Sequence, residues 1–173
     1  EYVKLSYRYP DHELVAETIA RLGQYFLSKG KGIEEESKQE TDPVKKEKIR
    51  LQALDLYKTA AQVFGRLCVR FPDHQLAVKT AVLSGQCWMR ANDVDQAIKV
   101  FTKAVDNKKG SNELLAEAMY WCGDAYLRRK KSASDPINAY RMFKRLTWDY
   151  PETTWAKYAR GRLSEPELAK MDE

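Results

Sequence analysis

The side chains in this sequence best suited to chemistry are two histidines, three cysteines and a run of cations, and their spacing decides what each can do. His12 and His74 are the only histidines. A metal site needs further ligands beside them, and acid–base work needs a partnered nucleophile. Instead they occupy the same place in two copies of one turn, so a helix-opening role is the simpler reading. Cys68, Cys87 and Cys122 are an odd set without a CxxC pair, which is neither a disulfide framework nor a zinc site. They fall within apolar helical patterns and read as buried free thiols, although a single Cys87–Cys122 bridge stays open. Gly30-Lys31-Gly32 and Lys109-Gly110-Ser111 lack the spacing of a phosphate-cradling loop, and Glu34-Glu35-Glu36 reads as a solvated stretch. The chain therefore reads as non-enzymatic, with no cofactor and no metal.

The cations are unevenly placed. The net charge is +5, yet Tyr120 to Leu163 alone holds ten Lys/Arg against four Asp/Glu, a local +6, so the rest sums to −1. Arg128-Arg129-Lys130-Lys131 closes a helix, where cations meet the negative end of the helix dipole. With Arg141, Lys144 and Arg145, and further on Lys157, Arg160 and Arg162, the run could instead form a patch for acidic protein, nucleic acid or anionic lipid. Tyr140, Trp148, Tyr150, Trp155 and Tyr158 are interleaved with it and invite a base-stacking reading. Their helical spacing makes core packing the better one.

Positioning any of these residues falls to helices. At 173 residues, with 8 Gly, 6 Pro and 43% hydrophobic residues, the chain suits one domain or a short repeat array and argues against a turn-rich β fold. No apolar run approaches the roughly 18 to 20 residues that cross a bilayer. No signal peptide is visible, and a start at Glu1 rather than Met suggests a trimmed chain.

The decisive pattern is internal. Arg8-Tyr9-Pro10-Asp11-His12-Glu13-Leu14 aligns without gaps with Arg70-Phe71-Pro72-Asp73-His74-Gln75-Leu76, and the register continues through Thr18/Thr80, Gly23/Gly85 and Gln24/Gln86. Tyr150-Pro151-Glu152 is a third aromatic-Pro step. Proline ends the preceding helix, and Asp11 or Asp73 is placed to accept N–H groups of the next. Helical periodicity predicts helices over 13–29, 43–69, 75–91, 94–107, 112–131, 135–149 and 152–163, the second opened by Thr41-Asp42-Pro43.

Within the copies, Gly85 precedes Ala97 by twelve residues, with Phe101 and Ala104 following. Gly123 leads to Ala139, Phe143 and Leu146 with four extra residues. Gly23 leads to Ala60, Phe64 and Leu67 with an insertion of about 25. This arrangement resembles the tetratricopeptide repeat family, over nearly the whole chain. The resemblance implies an all-α, right-handed superhelix of antiparallel helix pairs, about three repeats plus partial terminal ones. Its divisions are 1–10 (the end of a preceding repeat), 11–72 with an insertion at 30–50, 73–109, 111–151, a capping helix 152–163 and a frayed tail 164–173. The 30–42 stretch is expected to be a mobile loop. The aromatic-Pro joints resemble those of bacterial envelope repeat proteins of the Tol–Pal coordinator or barrel-assembly lipoprotein type, which implies a periplasmic or envelope location rather than the cytoplasm. The family's register implies a concave protein-binding groove lined by Gln24, Lys79, Gln86, Arg90, Tyr120, Asp124 and Arg128. The partner expected is a protein or peptide. Nucleic acid or an anionic surface is the alternative through the basic third, and a spacer or self-associating element is another.

Overall fold

The computed structural model describes residues 13–107, 109–129 and 131–171. The expectations resting on residues 1–12, including Pro10, Asp11 and His12, and on Lys130 lie outside the described residues. Among those described the chain forms eight helices and no strand. They are α1 (Glu13–Gln39), α2 (Pro43–Arg70), α3 (Ala77–Arg90), α4 (Val94–Asn107), α5 (Asn112–Arg129), α6 (Asp135–Asp149), α7 (Thr154–Leu163) and α8 (Pro166–Ala169). Each of the first seven packs on the next, and α3 with α5 and α5 with α7 also meet side by side.

The repeat seen in the sequence recurs as one packing unit. A Cβ built on Gly23 would lie 2.5 Å from Phe64, on Gly85 2.4 Å from Phe101, and on Gly123 2.6 Å from Phe143. Only a residue without a side chain lets the phenyl ring sit flush on the partner helix. Ala60, Ala97 and Ala139 are fully buried beside these rings, so backbones approach closely there too. Each ring taken from water contributes roughly 2 to 3 kcal/mol of apolar burial.

The aromatic-Pro joints are likewise one structure used twice. Phe71 and Tyr150 take nearly the same backbone angles, φ −129°, ψ 62° and φ −135°, ψ 54°. Their N–H groups donate to Leu67 O at 2.8 Å and Leu146 O at 3.0 Å. Asp73, however, does not cap α3: it pairs with Lys109, and Nδ1 of His74 accepts the Leu76 N–H at 3.1 Å instead. At the other joint Thr153 accepts the Ala156 N–H at 3.2 Å. Arg160, polar where the repeat calls for an apolar residue, is exposed and donates back to Pro151 O at 2.7 Å.

Two expectations are corrected. The 30–42 stretch is not a loop: α1 runs through Gly30, Lys31 and Gly32 to Gln39 because Gly30 packs on Tyr57, with a Cβ position 3.0 Å from the ring. Only Glu40–Asp42 turns the chain, and Asp42 caps α2 through the Val44 and Lys45 N–H groups. The insertion thus lengthens two helices, 27 and 28 residues against 14 each in α3 and α4. The added length projects about 20 Å at 1.5 Å per residue. Of the tail, residues 164–171 are not frayed either. Pro166 opens the single turn α8, which brings Leu168, fully buried, onto the C-terminal core, with Met171 packed beside it.

Candidate protein-binding face

Helical spacing puts residues 117, 120, 121, 124 and 128 along one side of α5, and 155, 158 and 162 along one side of α7. The side-by-side contact of α3, α5 and α7 joins them into one face. At the α3 end, Gln86 Nε2 donates to Glu117 Oε1 at 3.0 Å. Burial pushes the Glu117 carboxyl up, while Trp121, Gln86 and Lys79 oppose the shift. At the α7 end, the rings of Tyr120, Trp155 and Tyr158 meet with centroids 5.2 to 6.1 Å apart, and Trp121 touches both Tyr120 and Trp155. Such contact leaves no slot between the rings, so they form a continuous apolar surface rather than a cage around a ligand. Burial raises the Tyr120 phenol, and the Asp124 charge adds to it.

Below the rings, Asp124 is 8% exposed and holds two cations: Arg128 Nε at 2.8 Å and Arg162 Nη2 at 3.5 Å. Arg162 also donates to Glu165 at 2.7 Å. The polar atoms are not all satisfied. Arg162 Nε is buried with no hydrogen bond among the described residues, and Asp124 Oδ2 is buried with only the Arg128 ion pair beside it. Buried polar atoms left unpaired cost roughly 1 to 3 kcal/mol each.

The seven residues expected in a groove divide. Gln86, Tyr120, Asp124 and Arg128 belong to this face, and Lys79 lies near enough to Glu117 to act on its charge. Gln24 bonds within its own helix, to Ser28 at 3.4 Å. Arg90 is a strut rather than a groove residue: it donates to Glu34 at 3.1 Å and lies over Tyr57, whose hydroxyl also donates to Glu34. Glu117, Trp121, Trp155, Tyr158 and Arg162 belong to the face and were not anticipated there. Their i, i+3, i+7 spacing was the available signal. Trp155 and Tyr158 were read as core, yet Tyr158 is 55% exposed. Trp148, read the same way, is 86% exposed on α6.

The cation run does not form one patch. Arg129 pairs with the fully buried Asp135 and lies 3.5 Å from Asp95, which also takes Lys131 at 2.6 Å. Arg145 pairs with Asp149 at 3.0 Å, and Lys144 lies over the Tyr140 ring. Arg141 is exposed. Asp135 also accepts the N–H groups of Lys131 and Ser132, so the four extra residues of this repeat are folded around one carboxylate.

A further concavity of about 750 Å³ runs among α1, α2, α3 and α4, and nothing in the sequence pointed to it. The three cysteines are free, with Cys87 and Cys122 buried and Cys68 half-buried in this groove. Among the described residues no cluster of His, Cys, Asp and Glu is grouped for a metal, and no helix is long and apolar enough to cross a membrane. No family model, curated protein or solved structure matches the chain.

Proposed function

We propose that the chain is a non-enzymatic protein–protein interaction module of the tetratricopeptide type. In this reading the helix pairs stack into a right-handed superhelix whose concave side carries the α3–α5–α7 face, and that face holds an extended segment of a partner. The observation that carries the reading is the join of an amide–carboxylate pair, Gln86–Glu117, to a half-exposed aromatic surface over the buried, incompletely bonded Asp124 and Arg162. An extended peptide suits such a face: its backbone groups can meet Gln86, Glu117 and the exposed Arg128, and its side chains the rings. The three repeated Gly–Phe contacts support the repeat type, while placement in a bacterial envelope assembly rests on the resemblance of the aromatic-Pro joints alone.

The basic third draws less support as a surface for nucleic acid or anionic lipid, because Arg128, Arg129, Lys131 and Arg145 each have a carboxylate partner within the chain. The test is site-specific photo-crosslinking with the reactive group at position 158, and at Lys58 on α2 as the off-face control. A protein captured at 158, not at 58, and lost when the same crosslinker is carried by the variant Tyr120→Ala/Arg128→Ala is the expected result. Equal capture at both positions, or capture indifferent to the variant, refutes the reading.

A further inference from the structure

The groove among the first four helices is separate from the face just described. On α3 it is lined by Ala81, Ser84 and Trp88, whereas the other face uses Lys79 and Gln86. Positions two residues apart, such as 79 and 81, point roughly 200° apart around a helix. Ile19 and Leu22 of α1, Val63 and Val69 of α2, and Val100 and Ala104 of α4 complete an apolar trough. It is open to water: Val69 is 79% exposed, and Arg66 and Lys103 stand exposed along its lining.

Its charges are one-sided. Among the described residues, the charged ones lining it are Arg66, Arg70 and Lys103, with no carboxylate. Arg70 lies over the Phe71 ring, while Arg66 and Lys103 make no ion pair among the described residues. Arg66 on α2 and Lys103 on α4 therefore leave positive charge beside an apolar trough. We propose that this groove docks an acidic amphipathic helix of a partner protein. Its large apolar side chains enter the trough, and its Asp or Glu residues meet Arg66 and Lys103 on opposite walls. Volume and openness fit: about 750 Å³ accommodates the apolar side chains of one face of a short helix, with the helix backbone left outside.

The exposed apolar faces of α2 and α6 that a second copy would offer do not fit the same trough. The exposed apolar residues of α6, Ile137 and Trp148, share their helix with Arg141, Lys144 and Arg145. Val44 and Leu51 of α2 stand among Lys45, Lys46, Lys48 and Arg50, with Glu47 the one acid in that run. Either would bring cations against cations, which opposes docking. The inference does not depend on the α3–α5–α7 face binding anything.

Cys68 supplies the readout, since it lines the groove and is the one cysteine with appreciable exposure. The intact chain is alkylated with iodoacetamide, and Cys68 is followed by peptide mass spectrometry. The probes are a synthetic 14-residue amphipathic helix with Leu on one face flanked by Glu, its twin with every Glu changed to Lys, and dodecanoate. The acidic peptide is expected to slow Cys68 labelling and its twin is not. The surface variant Arg66→Glu/Lys103→Glu should weaken the acidic peptide about tenfold, roughly threefold for each exposed charge pair. The same variant should gain binding of the Lys twin, which guards against loss through misfolding. Equal protection by both peptides in the native chain reduces the groove to a general apolar surface and overturns the proposal. Protection by dodecanoate without protection by the peptide assigns it to an anionic lipid instead, and no protection by any probe removes it.

Discussion

Replacing Gly85 by Ala sets two opposing effects against each other at one atom. In an exposed helix interior the change stabilises by about 1 kcal/mol, because Ala loses less backbone entropy on folding. At Gly85 the new methyl would sit 2.4 Å from the Phe101 ring, against an ordinary contact near 3.5 Å, so about 1 Å of retreat is required. Phe101 is fully buried, between helices that have no slack, so the retreat must come from the α3–α4 spacing itself. Overpacking of this kind costs roughly 1 to 3 kcal/mol, and here the upper end applies. The net is a loss of about 2 kcal/mol, or a melting temperature lower by roughly 4 to 8 °C for a chain of this size. Gly32→Ala and Gly161→Ala are the internal controls, for both lie in helices with nothing within 4 Å of the added atom. They should raise the midpoint by roughly 2 to 4 °C. Shrinking the ring in the Gly85→Ala background, with Phe101→Leu, should cost less than it does alone, a coupling read by a double-mutant cycle. Thermal unfolding followed by far-ultraviolet circular dichroism measures all five variants. A Gly85→Ala midpoint at or above the wild-type value would refute the packing argument for all three repeats.

Other consequences follow from the charges, the long hairpin and the thiols. Hydrogen bonding from Arg129, helped by the Ser132 and Lys131 N–H groups, holds the Asp135 carboxyl below the usual range. A depressed folded-state pKa means stability that is present above the unfolded value near 4 and lost as pH falls through the folded one. Asp135→Asn should therefore lower the unfolding free energy from urea titration by about 2 kcal/mol at about pH 6, and lose that difference toward about pH 3. Because α1 continues through Lys31, brief trypsin treatment should cut first at Lys38 or Lys45 beside the 40–42 turn, and early cleavage at Lys31 would restore the loop. Burial pushes all three thiols up, Cys87 to about 12 and Cys122 to about 11, and only Cys68 is not fully buried, so native alkylation at neutral pH should be slow and mark Cys68 first.

The helices and joints were legible because they depend on local rules. Proline at 72 and 151 ends a helix whatever surrounds it, and Gly, Ala and Phe at fixed spacings mark a close helix crossing. The glycines at 30 and 32 misled because their local signal is the same as that of Gly85, a helix-weakening residue. What keeps them helical is distant: the Tyr57 ring under Gly30, 27 positions away, and Tyr57 and Arg90 meeting on Glu34. The same limit applied to the site. Spacing along α5 and α7 showed which residues share a side of each helix. It could not show that α5 and α7 touch, and so could not bring Trp155, Tyr158 and Arg162 to Tyr120 and Asp124.

The +6 of the C-terminal third is the clearest case of a sequence quantity that changes meaning once folded. Charge summed along a segment suggests an electrostatic surface only if its cations face water together and its acids lie elsewhere. Here three of the four acids of that segment are not spectators. Asp124 and Asp135 sit buried, each against an arginine, and Asp149 meets Arg145, while Asp95 reaches across from α4 to Lys131 and Arg129. Several of these contacts join one helix to another: α4 to α5, α5 to α6 through the Asp135 turn, and α5 to α7 through Arg162. Much of the excess charge is therefore spent inside the stack, holding its helices in register. By the same reasoning the small cation set at the α1–α4 groove matters more than the large one at the C-terminus. Arg66 and Lys103 have no internal carboxylate to satisfy them among the described residues, so attraction for an outside partner is left available there.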